Sequence, residues 1–122
     1  TEPPDSVSAL DARTGRRLWR YTRPVPSDVR PCCGRVNRGV AILGDTLYAV
    51  TLDAHLLALN ASNGTLKWDV KVADYKAGHA LTLAPLAIDG KVLVGIAGGE
   101  YGIRGFVDAY DAKSGKQLWR FW

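Results

Sequence analysis

One pattern constrains this chain more than any other: Ala109-Tyr110-Asp111-Ala112-Lys113-Ser114-Gly115-Lys116-Gln117-Leu118-Trp119 has two earlier relatives. They run from Ala9 to Trp19 and from Ala58 to Trp68, each with Asp or Asn at the third position and Gly at the seventh. The tryptophans recur about every 50 residues, the period of four-stranded propeller blades or arrays. A fixed period of this kind means that each unit buries its faces against its neighbours.

Each copy reads as strand, tight turn, strand. An apolar run (Val7 to Leu10, Leu56 to Leu59, Phe106 to Tyr110) precedes an Asp or Asn whose side chain can accept from the turn's backbone. The Gly supplies the positive φ that closes the turn. The constant spacing from Ala to Trp suggests a small residue on one blade that leaves room for an indole from another.

The expected fold is all-β, a fragment of about two and a half four-stranded blades, whereas a closed propeller needs four to eight. Residues 1–30 form the end of one blade and a connector, 31–73 a complete blade, and 74–122 the next blade with a long loop. The expected strands of the complete blade are Gly39 to Leu43, Thr46 to Thr51, His55 to Asn60 and Thr65 to Val70. Those of the last blade are Leu81 to Ile88, Lys91 to Ile96, Gly105 to Tyr110 and Lys116 to Trp122, with Asp89-Gly90 as a hairpin turn. No helix is expected. The chain reads as a piece of a longer protein, so it carries no information on targeting segments.

The net charge is +4, with Arg13, Arg16, Arg17, Arg20 and Arg23 loosely clustered. No aromatic and basic interleaving accompanies them, so they read as a solvated strand face, and no nucleic-acid partner is expected.

Three features could carry chemistry. Cys32 and Cys33 are adjacent and are the chain's two cysteines. A bond between them would join Cα atoms about 3.8 Å apart, closer than the usual ~4.4–6.8 Å, and close a small stiff ring. The residues alone leave open that ring, a pair of reduced thiols, or bonds to cysteines elsewhere. Arg35 and Arg38 follow closely, and either guanidinium could pair with a carboxylate ligand. The third feature is Ala97-Gly98-Gly99-Glu100-Tyr101-Gly102-Ile103-Arg104-Gly105, a glycine-rich link far longer than Leu52 to Ala54 in the preceding blade. Its glycines let backbone approach a partner closely, and Glu100 is either a hard oxygen ligand for a cation or a loop carboxylate paired with Arg104. His55 and His79 have no ligand-spaced partner and read as surface or packed histidines.

Together these segments resemble the pyrroloquinoline-quinone (PQQ)-dependent alcohol dehydrogenases, the quinoprotein methanol and ethanol dehydrogenase family. The three repeats match its tryptophan-docking motif. Cys32-Cys33-Gly34-Arg35-Val36-Asn37-Arg38-Gly39 resembles its vicinal-disulfide segment, and Gly98 to Gly105 its metal-ligand loop. The resemblance covers nearly the whole chain and implies an eight-bladed propeller in a periplasmic or secreted enzyme. It implies that Cys32 and Cys33 form a disulfide ring against one face of the quinone and that Arg38 pairs with a quinone carboxylate. By the same resemblance Thr82 hydrogen-bonds the cofactor, Ala97, Gly98 and Gly99 lie along it, and Glu100 binds calcium or a lanthanide. Two positions depart from the family: Ala97 stands where many members have serine, and Gly99 where alanine is common.

The resemblance further implies a small primary alcohol as substrate, an aldehyde as product and cytochrome c as electron acceptor. The family's catalytic aspartate, a metal-binding asparagine and the tryptophan over the second quinone face belong to later blades. This chain alone is therefore expected neither to oxidise alcohols nor to hold the quinone tightly. Two other classes share the repeat: non-enzymatic propeller scaffolds or assembly factors, and quinoprotein sugar dehydrogenases. The former need no vicinal cysteines and no glycine-rich carboxylate loop, and the latter generally lack the cysteine pair.

Overall fold

The computed structural model describes residues 1–2 and 5–122. A two-stranded sheet pairs β1 (Ser6–Leu10) with β2 (Arg17–Thr22). The second sheet has β3 (Ala41–Leu43), β4 (Thr46–Val50), β5 (His55–Asn60) and β6 (Leu66–Lys71) in that order. The third has β7 (Leu86–Ile88), β8 (Lys91–Gly95), β9 (Val107–Asp111) and β10 (Gln117–Phe121), again in sequence order. All pairings are antiparallel. These are meander blades, each joined to the next at its outer strand. Two single 3₁₀ turns, Tyr75–Ala77 and Gly99–Tyr101, are the helical turns among the described residues.

The three docking turns share a side-chain acceptor at the same position, with two of them using it identically. Asp11 Oδ1 accepts from the backbone of Arg13 and Thr14 and from the Thr14 hydroxyl. Asp111 does the same for Lys113 and Ser114. Asn60 serves Ser62. Gly15, Gly64 and Gly115 take φ of +72°, +74° and +71°, which an L side chain adopts only at a cost. Each hairpin also carries a bulge at the same place, so that Ala9, Ala58 and Ala109 face Trp19, Trp68 and Trp119 across the pair.

This geometry corrects the expected role of the small residue. The Ala to Trp spacing is a pairing within one sheet, whereas the indole docks on the turn of the following blade. Trp19 Nε1–H donates to the Ala61 carbonyl at 3.1 Å, and its ring lies so close to Gly64 that a Cβ there would sit 2.5 Å from Cε3. Trp68 repeats the arrangement on Ala112 and Gly115. Tyr48 adds its hydroxyl to the same Ala112 carbonyl. Behind the indoles, Val50, Leu56 and Val72 pack with Leu81, Val92 and Tyr110 in one core spanning two blades.

Two expected strands are shorter than anticipated. The Leu81 to Ile88 run pairs only from Leu86, because Pro85 has no N–H and the Thr82 carbonyl is taken by the Arg38 backbone at 3.1 Å. Ahead of β3, Gly39 sits at φ +132° against Ala84, outside strand geometry. Both departures bring loop backbone to the same end of the blades.

Candidate functional site

The connectors 23–40 and 72–85 and the 96–106 link all leave the strands at the end opposite the docking turns. There they enclose a cavity of about 180 Å³. Cys32 and Cys33 line it as a disulfide, with Cα atoms 3.8 Å apart, which settles the alternatives that the residues left open. Arg38 and Thr82 line another side. The Arg38 guanidinium donates to Thr82 Oγ1 at 2.7 Å and to its carbonyl at 3.2 Å, all through Nη1. Among the described residues, its remaining nitrogens have no protein acceptor, so the fork stays available to an anion.

The 96–106 link is held by an isolated bridge in which Ala80 and Ala97 exchange backbone hydrogen bonds of 3.0 and 2.9 Å. Ala97, Gly98 and Glu100 face the cavity; Gly99 does not line it, and a Cβ there would meet open space. Gly98 is required for a reason internal to the protein. At φ +127° it passes so close to the Gly78 carbonyl that a Cβ would lie 2.0 Å from that oxygen. The close approach expected of these glycines is thus made, at Gly98, to the connector's backbone.

Glu100 has no ion-pair partner among the described residues; Arg104, the alternative partner, instead lies over the Trp122 ring. The two sulfurs and a Glu100 carboxylate oxygen all fall within 4.8 Å of one another. Disulfide sulfur is a poor ligand for a hard cation, so Glu100 is the member of this group suited to one. His55 is tied to Asp69 through Nδ1 at 2.6 Å, and His79 Nδ1 lies 3.1 Å from the Asp74 carbonyl, both remote from ligand duty.

Comparison with known proteins accords with this geometry. A family model described as "Outer membrane protein assembly factor BamB" matches residues 4–122. Quinoprotein alcohol dehydrogenase PedH of Pseudomonas putida is 48% identical over 113 residues, covering 93% of this chain and 19% of its own length. The chain belongs to the PQQ-dependent quinoprotein alcohol dehydrogenase family. A europium-containing methanol dehydrogenase superposes with a TM-score of 0.90 at 40% identity, over 94% of this chain and 21% of that one. BamB from Moraxella catarrhalis aligns at 21% identity with a TM-score of 0.66, a likeness of fold alone. The chain thus spans about a fifth of the length of its quinoprotein relatives.

Among the lining residues that the sequence did not single out, Gly78 and Tyr101 matter most to the geometry. Gly78, at φ +97°, and Tyr101 are packed so closely that a Cβ on Gly78 would lie 2.6 Å from Tyr101 Cβ. The only signal for either was proximity: Tyr101 follows Glu100, and Gly78 sits in a connector otherwise read as a spacer.

Proposed function

We propose that this chain forms one wall of the cofactor site of a PQQ-dependent dehydrogenase that oxidises a small primary alcohol to its aldehyde. The enzyme is periplasmic or secreted and passes electrons to a cytochrome c. The observation that carries the reading is the exposed Glu100 carboxylate, without an ionic partner among the described residues, beside a vicinal disulfide and an Arg38 fork. That donor set fits the cofactor's chemistry: a planar ring system, ring carboxylates and an accompanying hard cation.

When bound, PQQ supplies the two-electron oxidant. The rest is done by protein groups. The disulfide ring of Cys32 and Cys33 offers a stiff wall without a proton to exchange. Arg38 holds a carboxylate through the nitrogens Thr82 leaves free, while Thr82 fixes the guanidinium's orientation. Ala97 and Gly98 line the cavity with at most a methyl group, leaving room for a planar ring beside them. Glu100 contributes one anionic oxygen ligand to calcium or a lanthanide. The proton-accepting base is an aspartate supplied from outside this chain.

Glu100→Gln in the full-length protein tests the reading, because it preserves size and removes charge. Metal affinity should fall at least about tenfold while the fold persists, since a charged ligand oxygen is lost. Calcium or lanthanide binding as tight as the parent's, with full alcohol oxidation, would refute it.

A further inference from the structure

The residue after the ligand has a role of its own. Tyr101 is half exposed, yet its ring is held at two points. Its Cβ and ring edge lie over Gly78, and its hydroxyl donates to the Arg30 carbonyl at 2.8 Å. Arg30 stands two residues before Cys32. Tyr101 therefore connects three otherwise separate pieces of chain: the link that carries Glu100, the 72–85 connector, and the segment that carries the disulfide.

We propose that Tyr101, seated on Gly78, is the positioning residue that sets the separation between Glu100 and the Cys32–Cys33 ring, and hence the affinity of the site for its cation. The inference rests on the functional reading above. Glu100 makes no hydrogen bond of its own to protein among the described residues, so its placement depends on the 3₁₀ turn Gly99–Tyr101. That turn is fixed on one side by the Gly98 approach to Gly78 and on the other by the Tyr101 tether. Gly78 is the shared seat: a methyl group there would collide with Tyr101, and its own carbonyl is the atom Gly98 touches. Its φ of +97° follows the 3₁₀ turn capped by Asp74, whose side chain accepts from Lys76 N–H. The connector is thus shaped to present a residue without a side chain at this point.

The test compares full-length variants by terbium luminescence titration, with melting temperature recorded alongside. Tyr101→Phe keeps the ring on Gly78 and removes the tether; loss of one hydrogen bond should weaken terbium binding about two- to tenfold. Its melting temperature should stay near the parent's, because the hydroxyl is at the surface. Gly78→Ala displaces the ring and should weaken binding about tenfold or more. Glu100→Gln is titrated in parallel. If it loses terbium while Tyr101→Phe and Gly78→Ala bind like the parent, the positioning role is wrong and the metal reading stands. If Glu100→Gln itself binds like the parent, the metal reading fails and the positioning role with it. A Tyr101→Phe variant that melts earlier but binds terbium unchanged assigns the tether to stability and also overturns the proposal.

Discussion

Gly64→Ala should expose the energetics of tryptophan docking, because the structure supplies its own reference. Gly15 and Gly64 occupy the same position of the same turn with nearly the same φ, but a Cβ on Gly15 would have nothing within 4 Å. Gly15→Ala in the 122-residue chain therefore reports conformational cost alone, about 1–2 kcal/mol for an L-residue in left-handed geometry. At Gly64 the added carbon would lie 2.5 Å from Trp19 Cε3 and 2.8 Å from Cδ2. The indole must retreat by about 1 Å to restore normal carbon contact. That shift costs about 1–3 kcal/mol in overpacking, and about 1 kcal/mol more as the 3.1 Å bond to Ala61 is broken. Gly64→Ala should then destabilise by about 3–6 kcal/mol in total. In a Trp19→Ala background its cost should fall back to the value at Gly15, a coupling of about 2 kcal/mol or more. Denaturation midpoints followed by far-ultraviolet circular dichroism measure all four corners of the cycle. An equal cost for Gly64→Ala with and without Trp19 would refute the docking argument.

Burial, with the charge of Asp53 adding to it, pushes the Asp5 carboxyl up to about 6, although Leu52 N–H donates to Oδ2 at 2.8 Å; Oδ1 is buried without a partner among the described residues. The folded state thus holds this proton more tightly than the unfolded chain, and stability from this group falls as pH rises from about 4 through 6, by on the order of 3 kcal/mol. Asp5→Asn keeps an acceptor for Leu52, so stability profiles against pH should differ between parent and variant by this slope; parallel profiles would overturn the assignment. Asp108 is fully buried and held by Arg120 at 2.8 and 2.7 Å and by the Tyr110 hydroxyl at 2.8 Å. Arg120→Ala strands that carboxylate and should cost about 3–5 kcal/mol in urea unfolding, and a loss below about 1 kcal/mol would show the pair to be dispensable.

The repeat was legible because docking imposes the same chemistry each time: Asp or Asn to bond the turn, Gly to receive an indole, Trp to fill the seat. The pattern brings the right residues together yet points to the wrong small partner, since spacing along one strand pair cannot reveal that Trp19 crosses to the next blade. Strand order followed from the period, but two strand starts did not. The sequence shows Pro85 but not that Arg38 would claim the Thr82 carbonyl. At the site, Cys32, Cys33 and Glu100 announced themselves by rarity and by an inserted loop. Gly78 and Tyr101 did not, because what matters about them is a contact between segments far apart in sequence, and a lone Gly and a lone Tyr carry no motif.

The two ends of the blades divide the work. Strands β2, β6 and β8 run away from the docking-turn end, and the connectors at their far ends hold the disulfide, the Arg38 fork and Glu100. The Trp19 and Trp68 contacts lock neighbouring blades at one end, and the Asp45 and Gly90 carbonyls stitch the hairpin turns to Ala61 and Ala112 there. Their effect on the other end is indirect: by fixing how two blades sit, they fix where 23–40, 72–85 and 96–106 emerge. Local connections then refine the cavity, including Asn37 Nδ2–H to the Val50 carbonyl at 3.0 Å and Tyr101 to Arg30. This arrangement explains why the docking repeat is uniform while the opposite loops differ from blade to blade. The conserved geometry carries the load of assembly, and an insertion such as 96–106 can acquire a ligand without disturbing any docking contact.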